Sequence, residues 1–173
     1  MNLNFEVGKY ELHLRAIDTL LLPKYKGSTF RGGFGSTFKR LTCCQPQGGC
    51  TKCLVAGSCP YHYVFETSPS SDAVVFAKYK DAPRPFIIEP PLTEKEEFRP
   101  GEDLTLGLIL VGKAVAYLPY FIVVFQALGN EGIGKHRGRF EVTGVSLPHQ
   151  NGRIIYNCEG QIDSLGSSHS LRD

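Results

Sequence analysis

Leu104, Leu106, Leu108 and Leu110 alternate without a break with Thr105, Gly107, Ile109 and Val111. A period of two defines a strand, and a strand apolar on both sides belongs inside a sheet, with neighbours at its edges and other elements over its faces. A second strand is legible where Tyr10, Leu12, Leu14 and Ala16 alternate with Glu11, His13 and Arg15. That pattern buries one face and turns His13 outward. Phe5 and Val7 lie on the opposite parity, so Gly8, where the register changes, predicts a bulge.

Between these strands the period changes. Ser28 reads as an N-cap, and Phe30, Phe34, Phe38 and Leu41 fall on one helical face. Gly32, Gly33 and Gly35 lie inside that helix, at a propensity cost of about 3 kcal/mol in all. Either close packing or close approach of a ligand would account for them. Pro119 suits a first helical turn, and YFIVVFQALG predicts a buried helix stopping at Gly129. AVVFAKY (73–79) and the segment PRPFIIEPP predict extended pieces, and RFEVTGVSL and RIIYNCEG predict strands around the turn HQNG, with Cys158 a small buried residue. The order is that of an α+β, ferredoxin-like (RRM-like) βαββαβ domain over residues 1–165, with an extra C-terminal hairpin and a polar tail at 166–173. The open sheet face of such domains is a familiar platform for RNA.

A length of 173 residues fits one domain, and 42% hydrophobic with 21% charged residues excludes general disorder. The apolar run Ala114–Leu128, broken by Pro119 and Gln126, is shorter than the roughly 20 residues that cross a bilayer, so no membrane is expected. The N-terminus lacks the pattern of a signal peptide, which predicts a cytoplasmic protein. A net charge of +2 conceals an uneven distribution. No acidic residue occurs from Thr19 to Phe65, where Lys24, Lys26, Arg31, Lys39, Arg40 and Lys52 stand. From Glu89 to Asp103 six carboxylates face two cations, a stretch expected to turn away from any polyanion.

Cys43, Cys44, Cys50, Cys53 and Cys59 fall within 17 residues, and His62 follows. Read as Cys44, Cys50, Cys53 and Cys59, the cluster offers four thiolates on a turn-rich insertion at 43–62, a donor set suited to structural zinc. Cys43 or His62 could replace one ligand. Disulfides, an iron–sulfur cluster and metal-free thiols are the competing readings.

The segment GNEGIGKHRGRF interleaves Gly132, Gly134 and Gly138 with Lys135, His136, Arg137 and Arg139. It has the spacing of a phosphate loop, but His136 stands where a hydroxyl must ligate magnesium, and a helix precedes it instead of a strand. A nucleotide triphosphatase is excluded on those grounds. Bare amides flanked by guanidinium groups would still suit an RNA backbone.

KYKGSTFRGGFGSTFKRL, CPYHYVFET, PRPFIIEPP, PGEDLTLGLILVG, AYLPYFIVVFQALG and GIGKHRGRF, in that order over residues 5–160, resemble the CRISPR-associated precursor-RNA-processing endoribonucleases of the RAMP superfamily. The resemblance implies a ferredoxin-like fold, CRISPR repeat RNA and other effector subunits as partners, and metal-independent cleavage by attack of a ribose 2′-hydroxyl on the adjacent phosphate. It also implies a second ferredoxin-like domain downstream, this chain corresponding to the N-terminal portion. Residues 14–61 contain no histidine, which some members of that superfamily use on the first helix. Tyr25 and His136 are the candidate catalytic groups. Arg31, Lys39, Arg40, Gly132, Gly134, Lys135, Arg137, Gly138 and Arg139 are the candidate RNA contacts. A non-catalytic RNA-binding or scaffold domain is the alternative, and a cysteine-based metal or redox protein a further one.

Overall fold

The computed structural model describes residues 6–45, 49–66, 83–157 and 169–170. The strand β1 (Glu6–Ala16) pairs antiparallel with β5 (Asp103–Val111) on one side and β6 (Phe140–Leu147) on the other. Beyond β5 lies β3 (Phe86–Glu89), and beyond β6 lies β7 (Arg153–Asn157), giving the order β3-β5-β1-β6-β7. The helix α1 (Gly27–Thr42) connects β1 towards β3, and α3 (Leu118–Glu131) connects β5 to β6. This mixed α/β arrangement around an antiparallel sheet is compatible with the expected ferredoxin-like unit, and β7 supplies the extra hairpin. The segment AVVFAKY and Cys158 lie outside the described residues.

The leucines of β5 and the even-numbered residues of β1 face the helices. Phe30, Phe34 and Phe38 of α1 are fully buried against them. The Phe34 ring is central, stacked 4.9 Å from both Phe121 and Phe125 of α3. The last member of the expected stripe, Leu41, is exposed instead.

The register of β1 on β5 runs unbroken from Val7 to Arg15, so there is no bulge at Gly8. A side chain there would collide with the Tyr10 ring, which folds back over the glycine on the same strand face. The irregularity lies between His13 and Leu14, where Thr143 is the extra residue on β6. Nor is Ser28 the cap of α1, since the helix starts at Gly27 and Lys26 occupies the N-cap without a side-chain cap. The apolar stretch of α3 continues to Glu131, past the expected stop at Gly129, and Gly132 ends it with φ +82°. Two residues of the expected tail, His169 and Ser170, form β8 and pair with Val7 and Glu6.

The helix glycines have separate causes. At Gly33 a Cβ would stand 2.9 Å from Leu128, so the residue lets α1 approach α3, whereas Gly32 faces open space. Gly129 lets α3 lie against the Phe140 carbonyl. Gly129→Ala is therefore expected to lose about 1–3 kcal/mol by overpacking, and Gly32→Ala to gain up to about 1 kcal/mol of helix propensity. Urea midpoints moving in opposite directions would bear this out.

Sequence periodicity missed a small second sheet. The two-residue strands β2 (Leu20–Leu21) and β4 (Glu97–Phe98) pair, and the Leu22 amide donates to the Glu96 carbonyl at 2.8 Å. The acidic stretch is thus sewn to the connection that leads into α1, with Lys24 4.0 Å from Glu94. Beside it Lys26 is fully buried, its ammonium donating to the carbonyls of Lys24 at 3.0 Å and Thr93 at 2.8 Å.

Candidate nucleic-acid interface and thiol pocket

An RNA platform on a sheet needs exposed aromatic rings for bases to stack on. The open face here has none on its central strands. It carries Lys9, Glu11, His13 and Arg15 from β1, Thr105 from β5 and Glu141 from β6. Lys9 is 3.5 Å from Glu89, Arg15 is 2.8 Å from Asp103, and His13 Nε2 lies 2.8 Å from Ser146 Oγ. Four carboxylates among these groups oppose a phosphate backbone.

The glycine-rich loop is built differently from an amide cradle. The amides of Gly132, Ile133, Lys135 and Arg137 donate to the carbonyls of Leu128, Gly138, Leu21 and Gly134. The Arg139 amide donates to the Asp18 carboxylate at 3.2 Å. Gly132 and Gly138 are buried; a side chain on Gly134 would strike the Leu21 carbonyl, and one on Gly138 the Thr19 carbonyl. These glycines let the loop dock on β2, and what the loop presents outward is the side chains of Lys135, His136 and Arg137.

Folding divides the remaining candidates. Arg40, on the last turn of α1, forms an ion pair with Glu131, whose carboxylate also lies 4.0 Å from the Arg137 guanidinium. Arg137 Nε donates to the Glu131 carbonyl at 3.2 Å. Helix α1 and the loop thereby meet at Glu131, with Arg40 and Arg137 against its carboxylate and Lys135 and His136 exposed on the same loop. Arg31 and Lys39 lie elsewhere, over the rings of Phe86 and Tyr61 at 5.2 and 5.9 Å. Glu131 is the residue that the sequence did not single out, because only the crossing of α1 and α3 brings it between two arginines.

Tyr25 is 69% exposed and His136 is exposed at the loop tip. Among the described residues no hydrogen bond links the two. Arg139 is held by Asp18, 2.7 Å from Nε, and this donation holds the Asp18 carboxyl below the usual carboxylate range. Hydrogen bonds from Lys95 to Glu102 and from Arg15 to Asp103 do the same there. A carboxyl whose folded pKa is depressed contributes stability that is complete above its unfolded value, about 4, and is lost as pH falls through the folded value. Melting temperature should therefore drop on acidification below about pH 4, and Asp18→Asn together with Asp103→Asn should flatten that limb.

The cysteines converge. Cys43, Cys44, Cys50, Cys53, Cys59 and His62 line one pocket. Cys43 caps the end of α1, and Cys50 opens a 3-10 turn that ends at Cys53. Cys59 caps α2 (Pro60–Phe65). That helix returns the chain to the core before the expected end of the insertion, with Val64 buried and Phe65 5.3 Å from the Phe86 ring. Burial, followed by the charges of Glu66, Cys43 and Cys59, pushes the Cys50 thiol up. Burial and the neighbouring Cys53 do the same to Cys44. Among the described residues, no three of these side chains are oriented as they stand to hold an ion. The donor chemistry, five thiols and an imidazole on one pocket, is that of a zinc site.

The family model AF_1859_N, an N-terminal domain, matches residues 5–167. An uncharacterized protein of Archaeoglobus fulgidus is 29% identical over 139 residues, which is 80% of this chain and 45% of that protein, so the chain spans less than half the length of this relative. Among solved structures, a chain from the crystal structure of the Csm3-Csm4 subcomplex in the type III-A CRISPR-Cas interference complex is similar, with a TM-score of 0.52 and 14% identity, covering 95% of this chain and 93% of that one. At that identity the similarity is one of fold.

Proposed function

We propose that this chain, which belongs to the AF_1859_N family, is the RNA-binding unit of a CRISPR-associated protein of RAMP type. The observation that carries the reading is the meeting of α1 and the glycine-rich loop at Glu131, with Arg40 and Arg137 against that carboxylate and Lys135 exposed on the same loop, on a fold similar to that of a CRISPR effector subunit. A polyanion pays for its docking by counterion release, which needs clustered lysine and arginine on one surface and no preformed amide cradle. Arg40, Lys135 and Arg137 are assigned to phosphates, and His136 to the rim of the same surface.

Other parts of the reading rest on the resemblance. The bound nucleic acid is CRISPR repeat RNA, the neighbours are other effector subunits, and a second ferredoxin-like domain in the full-length protein completes the groove. Cleavage by 2′-hydroxyl attack needs a general base and a general acid at one phosphate. Tyr25 and His136 are the titratable groups nearest to that role, and among the described residues no hydrogen bond joins them; binding is the function assigned to this unit. Labelled repeat RNA incubated with the protein in the absence of divalent metal is expected to be retarded and remain intact. Products at a fixed position would replace the binding assignment with a nuclease, and the absence of any complex would overturn both.

A further inference from the structure

The insertion that begins at Cys43 lacks an apolar interior. Between Cys43 and Cys59, the residues whose burial is described are all exposed except Cys43, Cys50, Cys53, Ala56 and Cys59, and none of those is fully buried. Leu54 is 97% exposed and Val55 45%. A segment of this length cannot be held by hydrophobic burial when its apolar side chains point into water. What it shelters is sulfur, and the five cysteines in it are free thiols. Such small units are usually fixed by a disulfide or a metal.

We propose that Cys43, Cys50, Cys53 and Cys59 form a structural site for a soft divalent cation of the zinc class, with Cys44 outside the ligand set. The four sheltered thiols come from three places that need joining: the C-terminal end of α1, the 3-10 turn Cys50–Lys52 with its C-cap Cys53, and the N-cap of α2. The Cys-x-x-Cys turn offers two sulfurs to one side. Spacing alone favours Cys44, and all five thiols line the one pocket, but Cys44 is exposed whereas its neighbour Cys43 is half-buried like the other three. Loading replaces thiol protons by one cation and turns the four side chains inward. The site fastens the base of the insertion to the two helices that carry Lys39, Arg40 and the Tyr61 ring. It is independent of the RNA reading, since neither its ligands nor its test involves RNA.

Protein purified without chelator is analysed for metal, and the metal-free form is titrated with cobalt(II). One zinc per chain and the visible bands of a tetrahedral cobalt thiolate are expected. N-ethylmaleimide footprinting of the loaded protein, read by mass spectrometry, should modify Cys44 and spare Cys43, Cys50, Cys53 and Cys59; chelation should expose all five. Cys44→Ser should keep its zinc, and Cys43→Ser should lose it. Footprinting decides the ligand set even if Cys43→Ser fails to fold. Protection of Cys44 with modification of Cys43, an iron–sulfur absorbance, a disulfide among these cysteines, or no binding of either metal would overturn the proposal.

Discussion

Lys26→Ala is expected to destabilise the fold by about 3 kcal/mol, a large share of the roughly 5–15 kcal/mol that holds a domain of this kind together. The ammonium is fully buried and donates to two main-chain carbonyls, those of Lys24 and Thr93. Truncation strands both acceptors at about 1–3 kcal/mol each and empties the volume of the aliphatic stem, less the recovered cost of desolvating a charge. Lys26→Met fills most of that volume and isolates the hydrogen-bonding term, so it should lose less than the alanine variant. The loss is local in origin. Thr93 lies in the acidic stretch and Lys26 begins α1, so the ammonium ties the small β2–β4 sheet to the helix that carries Arg40. Urea unfolding of the three proteins checks the order: parent, then methionine, then alanine, in decreasing stability. An alanine variant as stable as the parent would show that the two carbonyls find water instead.

The main sheet was legible because its strands are long enough to show a period. Leu104–Val111 and Tyr10–Ala16 each run through several alternations, and the fold places them side by side as the pattern requires. The strands β2 and β4 are two residues each, below the length at which alternation carries information. Their pairing joins the acidic stretch to the connection before α1, a contact that the charge pattern does not announce. Lys26 looked like any other cation, since nothing in its neighbours along the chain indicates that the distant Thr93 carbonyl joins that of Lys24 over its ammonium. The glycine-rich loop shows the limit most clearly. Gly132, Gly134 and Gly138 suggested bare amides awaiting an anion, but the absence of side chains at Gly134 and Gly138 lets the loop dock on Leu21 and Thr19, and the amides of Gly132, Ile133, Lys135 and Arg137 already donate to main-chain carbonyls. Of the candidate RNA contacts, Arg40 and Arg137 come together through Glu131, a relation set by a helix crossing and invisible to spacing.

The second large effect concerns that meeting of α1 and the loop. Replacing Arg40, Lys135 and Arg137 by glutamine removes three charges without emptying any buried volume, because Lys135 and Arg137 are exposed and Arg40 is half-exposed. Affinity for repeat RNA at low salt should fall about 100-fold. Lys9→Gln with Arg15→Gln makes a similar reduction of charge on the open sheet face, where both cations already face carboxylates. That variant should bind RNA within about 3-fold of the parent, since Glu11, Glu89, Asp103 and Glu141 share that face and oppose a phosphate backbone.

The salt dependence of RNA binding tests the central claim most directly. Measured from low to moderate salt, the slope of log affinity against log salt should be shallower by about 2 in the triple-glutamine variant, as expected for three lost phosphate contacts on a single strand, and unchanged in the sheet-face variant. Equal slopes for the parent and the triple-glutamine variant would contradict the assignment of this surface to RNA.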